Sequence, residues 1–264
     1  MGNIEPSSDD TIVVWFSCGA ASAVALRETL RRYGDKCVIR AVNNPVAEED
    51  EDNRRFLYDV ERWLNVYIET ATNSHYPDCS AKTVWNDRSF MSGPHGAPCT
   101  IELKKRARQE WEANNSVDWH VLGFTRNEKA RYDRFVLTER ENVIPVLIDA
   151  GITKKNCYDV IRRAGLQLPR MYQLGYPNAN CVGCVKATSP TYWNHVRAVH
   201  PEVFKARAEQ SRAIGARLVR HKGVRIFLDE LPKDAVGRPM KDVDTECGIF
   251  CEENAISESG DDHE

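Results

Sequence analysis

The feature that most constrains the fold lies near the start of the chain, where an apolar run leads through a loop of small residues into a helical pattern. Ile12–Phe16 carries no charged side chain, which is typical of a parallel strand covered on both faces. Ser17–Ser22 follows with small side chains only, and Ala20–Tyr33 then places apolar residues among arginines at helical spacing. This order predicts a strand, a tight loop and a helix, the first unit of an α/β sheet.

The same alternation continues along the chain. Further strands are predicted at Cys37–Val42, Val66–Glu69 and Trp119–Leu122, and further helices at Asp50–Leu64, Thr100–Ala113, Glu128–Thr138 and Lys154–Ala164. Residues 71–98 are rich in Pro, Gly, Ser and Asn, so we predict a long irregular loop there. We expect an α/β fold, a Rossmann-like parallel sheet with helices on both faces, plus a helical C-terminal extension. Residues 11–200 would form the sheet domain and residues 201–251 the extension, with flexible tails at 1–10 and 252–264.

Composition narrows the class of protein. Hydrophobic residues make up 42% of the 264 residues, which is enough for a sizeable core. No apolar run approaches the roughly 18 residues of a membrane span, and the first residues are polar and acidic, so we expect neither a membrane segment nor a secretory signal. The nine cysteines, an odd number, therefore favour reduced thiols and a cytoplasmic location.

The charge distribution leaves one question open. A net charge of −3 gives no general attraction to nucleic acid. The stretch from Lys205 to Arg225 is nevertheless rich in basic residues, with Glu209 as the opposing charge. It could face RNA or a phosphate, or it could form the solvated face of a helix.

The loop after the first strand is a candidate anion site. Ligands of such sheets bind beyond the carboxyl ends of the strands, and small residues let backbone amides and a helix N-terminus approach an anion. The candidate nucleotide-binding residues are Ser17, Cys18, Gly19, Ala20, Ala21 and Ser22. They match neither the Walker A pattern nor the dinucleotide fingerprint, and a tight turn alone would also require small residues.

Five cysteines form an ordered series with metal-ligand spacing. Cys181 and Cys184 form a C-x-x-C, preceded by Cys99 and followed by Cys247 and Cys251. Cys99, Cys181 and Cys184 could hold a [4Fe-4S] cluster with Cys251 or Cys247 as the fourth ligand, or they could hold zinc. A cubane with three cysteines and an open iron is a further possibility. Cys37 and Cys157, on a strand and a helix, are expected to be core residues.

Several segments together resemble one family. Ser17–Ser22 is similar to the S-G-G-x-D-S loop of PP-loop proteins, and Val121–Glu128 resembles their strand that ends in T-G-x-R-R-x-[DEQ]. Val143–Asp149 looks like the family's P-L-x-x-W segment, and Leu174–Cys184 resembles G-Y-P-S-I-G-C-x-x-C. Thr245–Ile249 matches the family's E-C-G-[IL]-H signature near the C-terminus, except that Phe250 replaces the histidine. The chain thus resembles the phosphoadenosine phosphosulfate (PAPS) and adenylyl sulfate reductases of the adenine nucleotide alpha-hydrolase superfamily.

The resemblance implies a function and assigns roles. It implies thiol-dependent reduction of adenylyl sulfate or PAPS to sulfite, with Cys247 as the catalytic nucleophile, Arg126 as a contact to the anionic nucleotide and thioredoxin as the reductant. The chain departs from the family pattern where Pro98 replaces the first of two adjacent cysteines and where the loop lacks its aspartate.

Two other functions remain open at this stage. One is an ATP-dependent sulfurtransferase that thiolates tRNA or a nucleobase, which would use the basic stretch and an open iron. The other is a non-catalytic protein that binds a nucleotide or zinc.

Overall fold

The computed structural model describes residues 5–94 and 96–240. Its central sheet is built from the strands β1 (Thr11–Phe16), β2 (Val38–Asn43), β3 (Ile68–Thr70) and β4 (Trp119–Val121). The strands pair in parallel in the order β3–β2–β1–β4, with Ile12 opposite Ile39 on one side and Trp119 on the other. The predicted α/β fold with a parallel sheet is therefore confirmed.

Helices follow most strands, as the alternation predicts. The helices are α1 (Ala20–Tyr33), α2 (Asp52–Leu64), α3 (Ala81–Arg88), α4 (Pro98–Thr100), α5 (Ala107–Glu112), α6 (Lys129–Thr138), α7 (Val146–Asp149), α8 (Lys154–Arg163), α9 (Arg170–Gln173), α10 (Pro190–Val199) and α11 (Pro201–Ile214). Short 3-10 turns occur at Arg126–Glu128 and Leu228–Glu230, and a small antiparallel hairpin joins β5 (Val219–His221) to β6 (Val224–Ile226).

Alternate residues of β1 enter the cores on the two faces of the sheet. Ile12, Val14 and Phe16 pack with residues of α1, α2 and α8, whereas Val13 and Trp15 pack towards Trp111 of α5. A strand whose side chains are buried on both faces needs the continuous apolar sequence seen at 12–16. The sheet is therefore covered by helices on both faces, as the apolar sequence of β1 predicts.

The C-terminal region packs as a largely helical layer beside the sheet. Trp193 of α10 and Phe204 of α11 share one apolar cluster with Trp85 of α3 and with Leu218, which precedes β5. Residues before and after position 200 therefore contribute to a single core. The predicted helical C-terminal region is present, and it includes the short β5–β6 hairpin.

One stretch of the predicted irregular loop is helical, and a tertiary contact explains the difference. α3 lies within residues 71–98 and begins after Ser80, whose hydroxyl accepts a hydrogen bond from the Thr83 amide. The Glu48 carboxylate, far upstream in sequence, accepts hydrogen bonds from the amides of Ala81 at 2.7 Å and Lys82 at 3.0 Å. Ser80 is a local signal for this helix start, whereas the contact from the distant Glu48 leaves none in the local sequence.

The predicted helix Thr100–Ala113 begins two residues earlier than expected and changes its winding. α4 starts at Pro98, which suits the first helical position because proline has no amide to pair. Ile101–Arg106 is wound as a π-helix before α5 continues. Such π-segments are frequent at functional sites because they redirect side chains, and this one contains Lys104.

Within the described ranges, none of the helices is long and apolar enough to cross a lipid bilayer.

Candidate functional site

A cavity lies at the carboxyl end of the sheet, between β1 and β4. The chain runs from β1 to β2 and β3 on one side and returns to β4 on the other, so this is the point where the strand order reverses. Parallel α/β sheets bind ligands at such a switch point. The lining includes Ser17, Gly19 and Ser22 of the first loop, Gly123 and Thr125 after β4, and Asn178 and Asn180 before the C-x-x-C. We call it the sheet-edge cavity.

The loop after β1 folds around the Ser22 side chain. The Ser22 hydroxyl accepts a hydrogen bond from the Ser17 amide at 3.1 Å and donates one to the Gly19 carbonyl at 3.0 Å. The first residue of α1, Ala20, donates its amide to the Tyr172 hydroxyl at 3.3 Å. The loop thus presents the N-terminus of a 14-residue helix to the cavity, and the positive end of that helix favours an anion. Ser22 holds the loop together, and Ser17 is exposed.

The Cys18 side chain is buried and has a structural role in the loop after β1. Its φ of 55° lies in the left-handed region, which is uncommon for a residue with a side chain. The thiol is buried, and the Asn43 side chain lies 3.6 Å from its sulfur. Burial, with the Glu49 carboxylate as a smaller cause, raises the pKa of the Cys18 thiol well above its usual value. Cys18 is therefore a protonated core thiol and lacks the reactivity of a thiolate nucleophile.

Two glycines allow the walls of the cavity to approach closely. A Cβ atom at Gly123 would lie 2.9 Å from the Ser22 backbone nitrogen and 3.2 Å from the Ala21 Cβ. A Cβ atom at Gly19 would lie 3.3 Å from the Tyr172 hydroxyl oxygen. The segment after β4 therefore packs directly against the first turn of α1, and glycine at 123 leaves the room for it.

Basic side chains from separate elements line the cavity, and they are Lys104, Arg108, Arg131 and Lys154. Lys104 Nζ donates to the Asn44 carbonyl and to the Glu49 carboxylate at 3.0 Å. Arg131 pairs with Glu128 at 2.9 Å. The lining holds four cations and two carboxylates, Glu49 and Glu128. This excess of positive charge suits an anionic ligand.

Lys154 is a partly buried cation of the cavity lining. It is the first residue of α8, directly after Thr153, which caps the helix together with Asn156. Its ammonium donates to the Asn178 side-chain oxygen at 2.5 Å. Burial lowers the pKa of Lys154, opposed by the Glu128 carboxylate. A partly desolvated ammonium gains more from a bound anion than one in water does.

Arg126, the predicted nucleotide contact, lies beside the cavity. It begins the 3-10 turn after β4, and its amide donates to the Ile152 carbonyl at 2.8 Å. Its side chain is exposed and does not contribute to the cavity lining. The role of Arg126 stays a prediction, while Lys154 and Arg131 reach the cavity in this structure.

The structure brings Cys99, Cys181 and Cys184 into one core. Cys181 and Cys184 are buried, Cys99 is half-buried, and all three pack in the cluster that contains Trp85 and Trp193. Cys99 and Cys181, which are 82 residues apart in the sequence, therefore belong to the same apolar cluster. We call these three residues the cysteine set. In the described ranges, no three His, Cys, Asp or Glu side chains are close enough together to hold a metal ion.

The C-x-x-C loop is fixed by neighbours on three sides. The Val182 amide donates to the Glu48 carbonyl at 2.9 Å, and the Cys184 amide donates to the Tyr192 hydroxyl at 2.8 Å. Gly183 turns the chain with a φ of 68°, and a Cβ atom there would lie 3.1 Å from Val203 of α11. Both cysteines are thus held in a defined orientation by α10, α11 and the segment after β2.

The remaining cysteines comprise core residues, one partly buried loop residue, and residues outside the described ranges. Cys37 and Cys157 are buried, as predicted, and burial raises the pKa of Cys157 to about 12. Cys79, in the loop before α3, also has a pKa raised by burial. Cys247, the predicted nucleophile, and Cys251, a predicted metal ligand, lie outside the residues that the structure describes.

Sequence reasoning missed part of the cavity. Tyr172 reaches the N-terminus of α1 from a sequence distance of 152 residues, and no local pattern marks it. Lys154 could have been identified from the sequence. It directly follows a predicted helix cap and lies after β4, near the edge of the sheet where a ligand is expected. Neither a scan against protein-family models nor a search of the curated proteins finds a match for this chain.

Proposed function

We propose that the protein is a PP-loop-type enzyme that binds an adenine nucleotide in the sheet-edge cavity. More specifically, we propose that it reduces a sulfonucleotide, adenylyl sulfate or PAPS, to sulfite in the reducing cytoplasm. One observation carries the proposal: the cavity is lined by the Ser17–Ser22 loop and by residues next to both parts of the cysteine set. Lys104 comes from the helix that follows Cys99, and Asn180 directly precedes Cys181.

Anion binding is the part of this function that the geometry supports most directly. The N-terminus of α1, Lys154 and Arg131 face the same cavity from three directions. A phosphate or sulfate group would gain charge-assisted hydrogen bonds there that neutral ligands cannot make. The Ser17–Ser22 loop contains no lysine or aspartate. The site therefore suits a substrate without a pyrophosphate group whose negative charge the enzyme would have to neutralise.

The redox step uses thiols alone. The Cys247 thiolate would attack the sulfur of the sulfonucleotide, forming an S–S bond while the S–O bond to the phosphate breaks, with AMP or its 3′-phosphate analogue leaving. A thioredoxin thiolate would then attack the Cys247 sulfur and expel sulfite, leaving a mixed disulfide. The second thioredoxin thiol would resolve it, which returns the Cys247 thiol and oxidises thioredoxin to its disulfide.

The cysteine set would hold the metal centre of this enzyme. The donor set consists of thiols only, enclosed in an apolar cluster next to the buried guanidinium of Arg207. Thiolates in such surroundings select iron–sulfur clusters or zinc, and a fourth cysteine such as Cys251 would complete either centre. When bound, an iron–sulfur cluster supplies a centre for electron or sulfide transfer.

The alternative thiolation activity loses support from the basic stretch after Lys205. Arg207 in that stretch is buried, and Arg212 pairs with Asp229 at 2.7 Å and with Glu230 at 3.0 Å. The stretch is therefore not one continuous basic surface for tRNA. The sulfonucleotide reductase remains the function that the site supports best.

The test compares purified, anaerobically handled protein with adenylyl sulfate, PAPS or ATP, each with thioredoxin and its reductase. We expect sulfite release from one sulfonucleotide, abolished in Cys247→Ser. No sulfite from either, combined with tRNA-dependent conversion of ATP to AMP, would replace this proposal with the sulfurtransferase. Nucleotide binding without any turnover would instead favour a non-catalytic binding protein.

A pair of adjacent lysines tests the cavity itself. We expect Lys154→Met to weaken nucleotide binding about 10- to 100-fold, because a hydrogen bond to a charged group contributes about 1.5–3 kcal/mol. Lys155→Met is the control, since Lys155 is 84% exposed and pairs with Asp159 on the helix surface. Equal affinities for the two variants, measured by calorimetry, would show that the nucleotide binds elsewhere.

A further inference from the structure

The Tyr172 hydroxyl caps the helix that begins at the sheet-edge cavity. Gly19 is the N-cap residue of α1 and has no side chain that could accept a hydrogen bond from the first turn. The Tyr172 oxygen accepts one from the Ala20 amide at 3.3 Å instead, and Gly19 and Tyr172 both line the cavity. A Cβ atom at Gly19 would lie 3.3 Å from this oxygen, so glycine at position 19 leaves room for it.

The same hydroxyl has a hydrogen-bond donor of its own. A phenol can accept a hydrogen bond on its oxygen and donate another through its proton. The Ala20 amide uses the oxygen, while in the described part of the chain no residue accepts the proton. Burial, with Tyr158 as a smaller cause, raises the pKa of Tyr172 well above its usual value, so the proton stays on the oxygen at neutral pH. The donor is therefore available to a ligand of the cavity.

Tyr172 is held in this position from two sides. It lies in α9, where the Arg170 amide donates to the Asp52 carboxylate at 2.7 Å and the Arg170 guanidinium pairs with Asp50 at 3.0 Å. The centroid of the Tyr158 ring, from α8, lies 5.1 Å from that of the Tyr172 ring. A hydroxyl on a ring that is already fixed loses little freedom when it binds a ligand, which makes it a preorganised donor.

The neighbouring donors indicate the chemistry of the ligand. Helix geometry leaves the next two amides of α1, those of Ala21 and Ser22, without an acceptor inside the helix. Lys154 contributes a cation to the same cavity. The hydrogen bond from the Ala20 amide also polarises the phenol and makes it a stronger donor. A group with several negatively charged oxygens, such as a phosphate or a sulfate, can use more of these donors at once than a neutral group can.

We propose that the Tyr172 hydroxyl donates a hydrogen bond to the anionic group of the bound nucleotide, and thereby favours an anionic ligand over a neutral one at the N-terminus of α1. The inference rests on the nucleotide site of the proposed function and adds to it a ligand-binding residue from a distant segment. The observation that carries it is a hydroxyl with an available proton, held at the first amide of α1 in the wall of the cavity.

The test compares the full-length wild type with Tyr172→Phe and Tyr158→Phe by calorimetric titration with AMP and with adenosine. AMP carries the phosphate and adenosine lacks it, so the ratio of the two affinities isolates the contribution of the anionic group. Tyr158→Phe is the matched control. It removes the same hydroxyl from the ring that packs against Tyr172, and Tyr158 lies outside the described lining of the cavity.

We expect Tyr172→Phe to bind AMP about 10- to 100-fold more weakly than the wild type, because it loses a hydrogen bond to a charged group. Its affinity for adenosine should be unchanged, and Tyr158→Phe should bind both ligands as the wild type does. A hydroxyl that only caps α1 would behave differently. Its removal would lower the melting temperature and leave the ratio of AMP to adenosine affinity as in the wild type.

An unchanged ratio in Tyr172→Phe would overturn this inference and leave the proposed nucleotide site intact. Tighter binding of AMP by Tyr172→Phe would also overturn it, since the hydroxyl would then compete with the ligand for the Ala20 amide. A wild type that binds neither AMP nor adenosine would overturn the nucleotide site and the inference together. Should Tyr172→Phe not fold, the same ratio is measured in Tyr172→Met, which also lacks the donor. Sulfite release is not a readout, so failure of the reductase activity does not affect this test.

Discussion

Replacing Gly123 with alanine should push the segment after β4 away from the N-terminus of α1. The added Cβ would lie 2.9 Å from the Ser22 backbone nitrogen and 3.1 Å from the Ala21 carbonyl carbon, whereas ordinary van der Waals contact begins near 3.4 Å. Both atoms belong to the backbone of a buried helix turn, so no flexible side chain can move aside. The turn and the segment after β4 must separate by about 0.5 Å.

This shift sets the expected magnitudes. Inserting a methyl group into a well-packed site typically costs about 1–3 kcal/mol of folding stability. Since a misplacement of about 1 Å at a binding site can cost about 100-fold in rate, half that shift should weaken nucleotide binding or turnover by about tenfold. Denaturant titration measures the first effect, and calorimetric titration with adenylyl sulfate or AMP measures the second.

A second glycine supplies the control. Gly223, in the β5–β6 turn, has a φ of 83°, and no described atom lies within 4 Å of the place that an added Cβ would take. Gly223→Ala should therefore cost about 1–2 kcal/mol through backbone strain alone without changing nucleotide affinity. If Gly123→Ala binds the nucleotide as tightly as Gly223→Ala does, the close approach of β4 to α1 does not shape the binding site.

Two further predictions concern buried titratable groups. Burial, with Arg140 and Arg108 nearby, lowers the pKa of His120 from 6.5 to about 3. The unfolded chain therefore binds a proton at this residue between about pH 6.5 and 3 that the folded chain does not. Stability due to His120 is present above this window and falls by about 3 kcal/mol between about pH 7 and 4. His120→Gln should flatten this part of the denaturation profile, and an unchanged slope would contradict it. Because burial raises the pKa of Cys18, iodoacetamide at about pH 8 should leave Cys18 unmodified in the native protein and modify it in urea, as mass spectrometry would detect. Labelling of native Cys18 at the rate of the denatured chain would show that the loop opens.

The sequence was sufficient for the sheet because the sheet is specified locally. The apolar run Ile12–Phe16 and the small-residue loop after it define β1, its burial on both faces and the edge at which the sheet-edge cavity lies. The C-x-x-C and the distant Cys99 could also be grouped in advance, since metal-ligand spacing is a sequence property. The structure places them in the same core.

Contacts between distant segments could not be predicted from the sequence. Glu48 caps α3 from 33 residues upstream, Tyr172 meets the amide of Ala20, and Arg207 approaches the C-x-x-C loop from α11. Each depends on how whole elements pack, and none follows a period or a motif. The basic stretch after Lys205 illustrates the same limit. Its charges look continuous in sequence, yet one is buried and another is paired.

The segment that follows β2 connects the two halves of the candidate site. Its Asn44 carbonyl and Glu49 carboxylate accept hydrogen bonds from Lys104, which the Cys99 helix carries into the cavity. Its Glu48 carbonyl holds the Val182 amide inside the C-x-x-C, while the Glu48 side chain caps α3. The helix that follows Cys99 and the C-x-x-C therefore both contact the same short stretch of backbone, which also positions a cation of the sheet-edge cavity. A change in this segment would therefore move both Lys104 in the sheet-edge cavity and the C-x-x-C loop, so the two parts of the candidate site are coupled through the backbone.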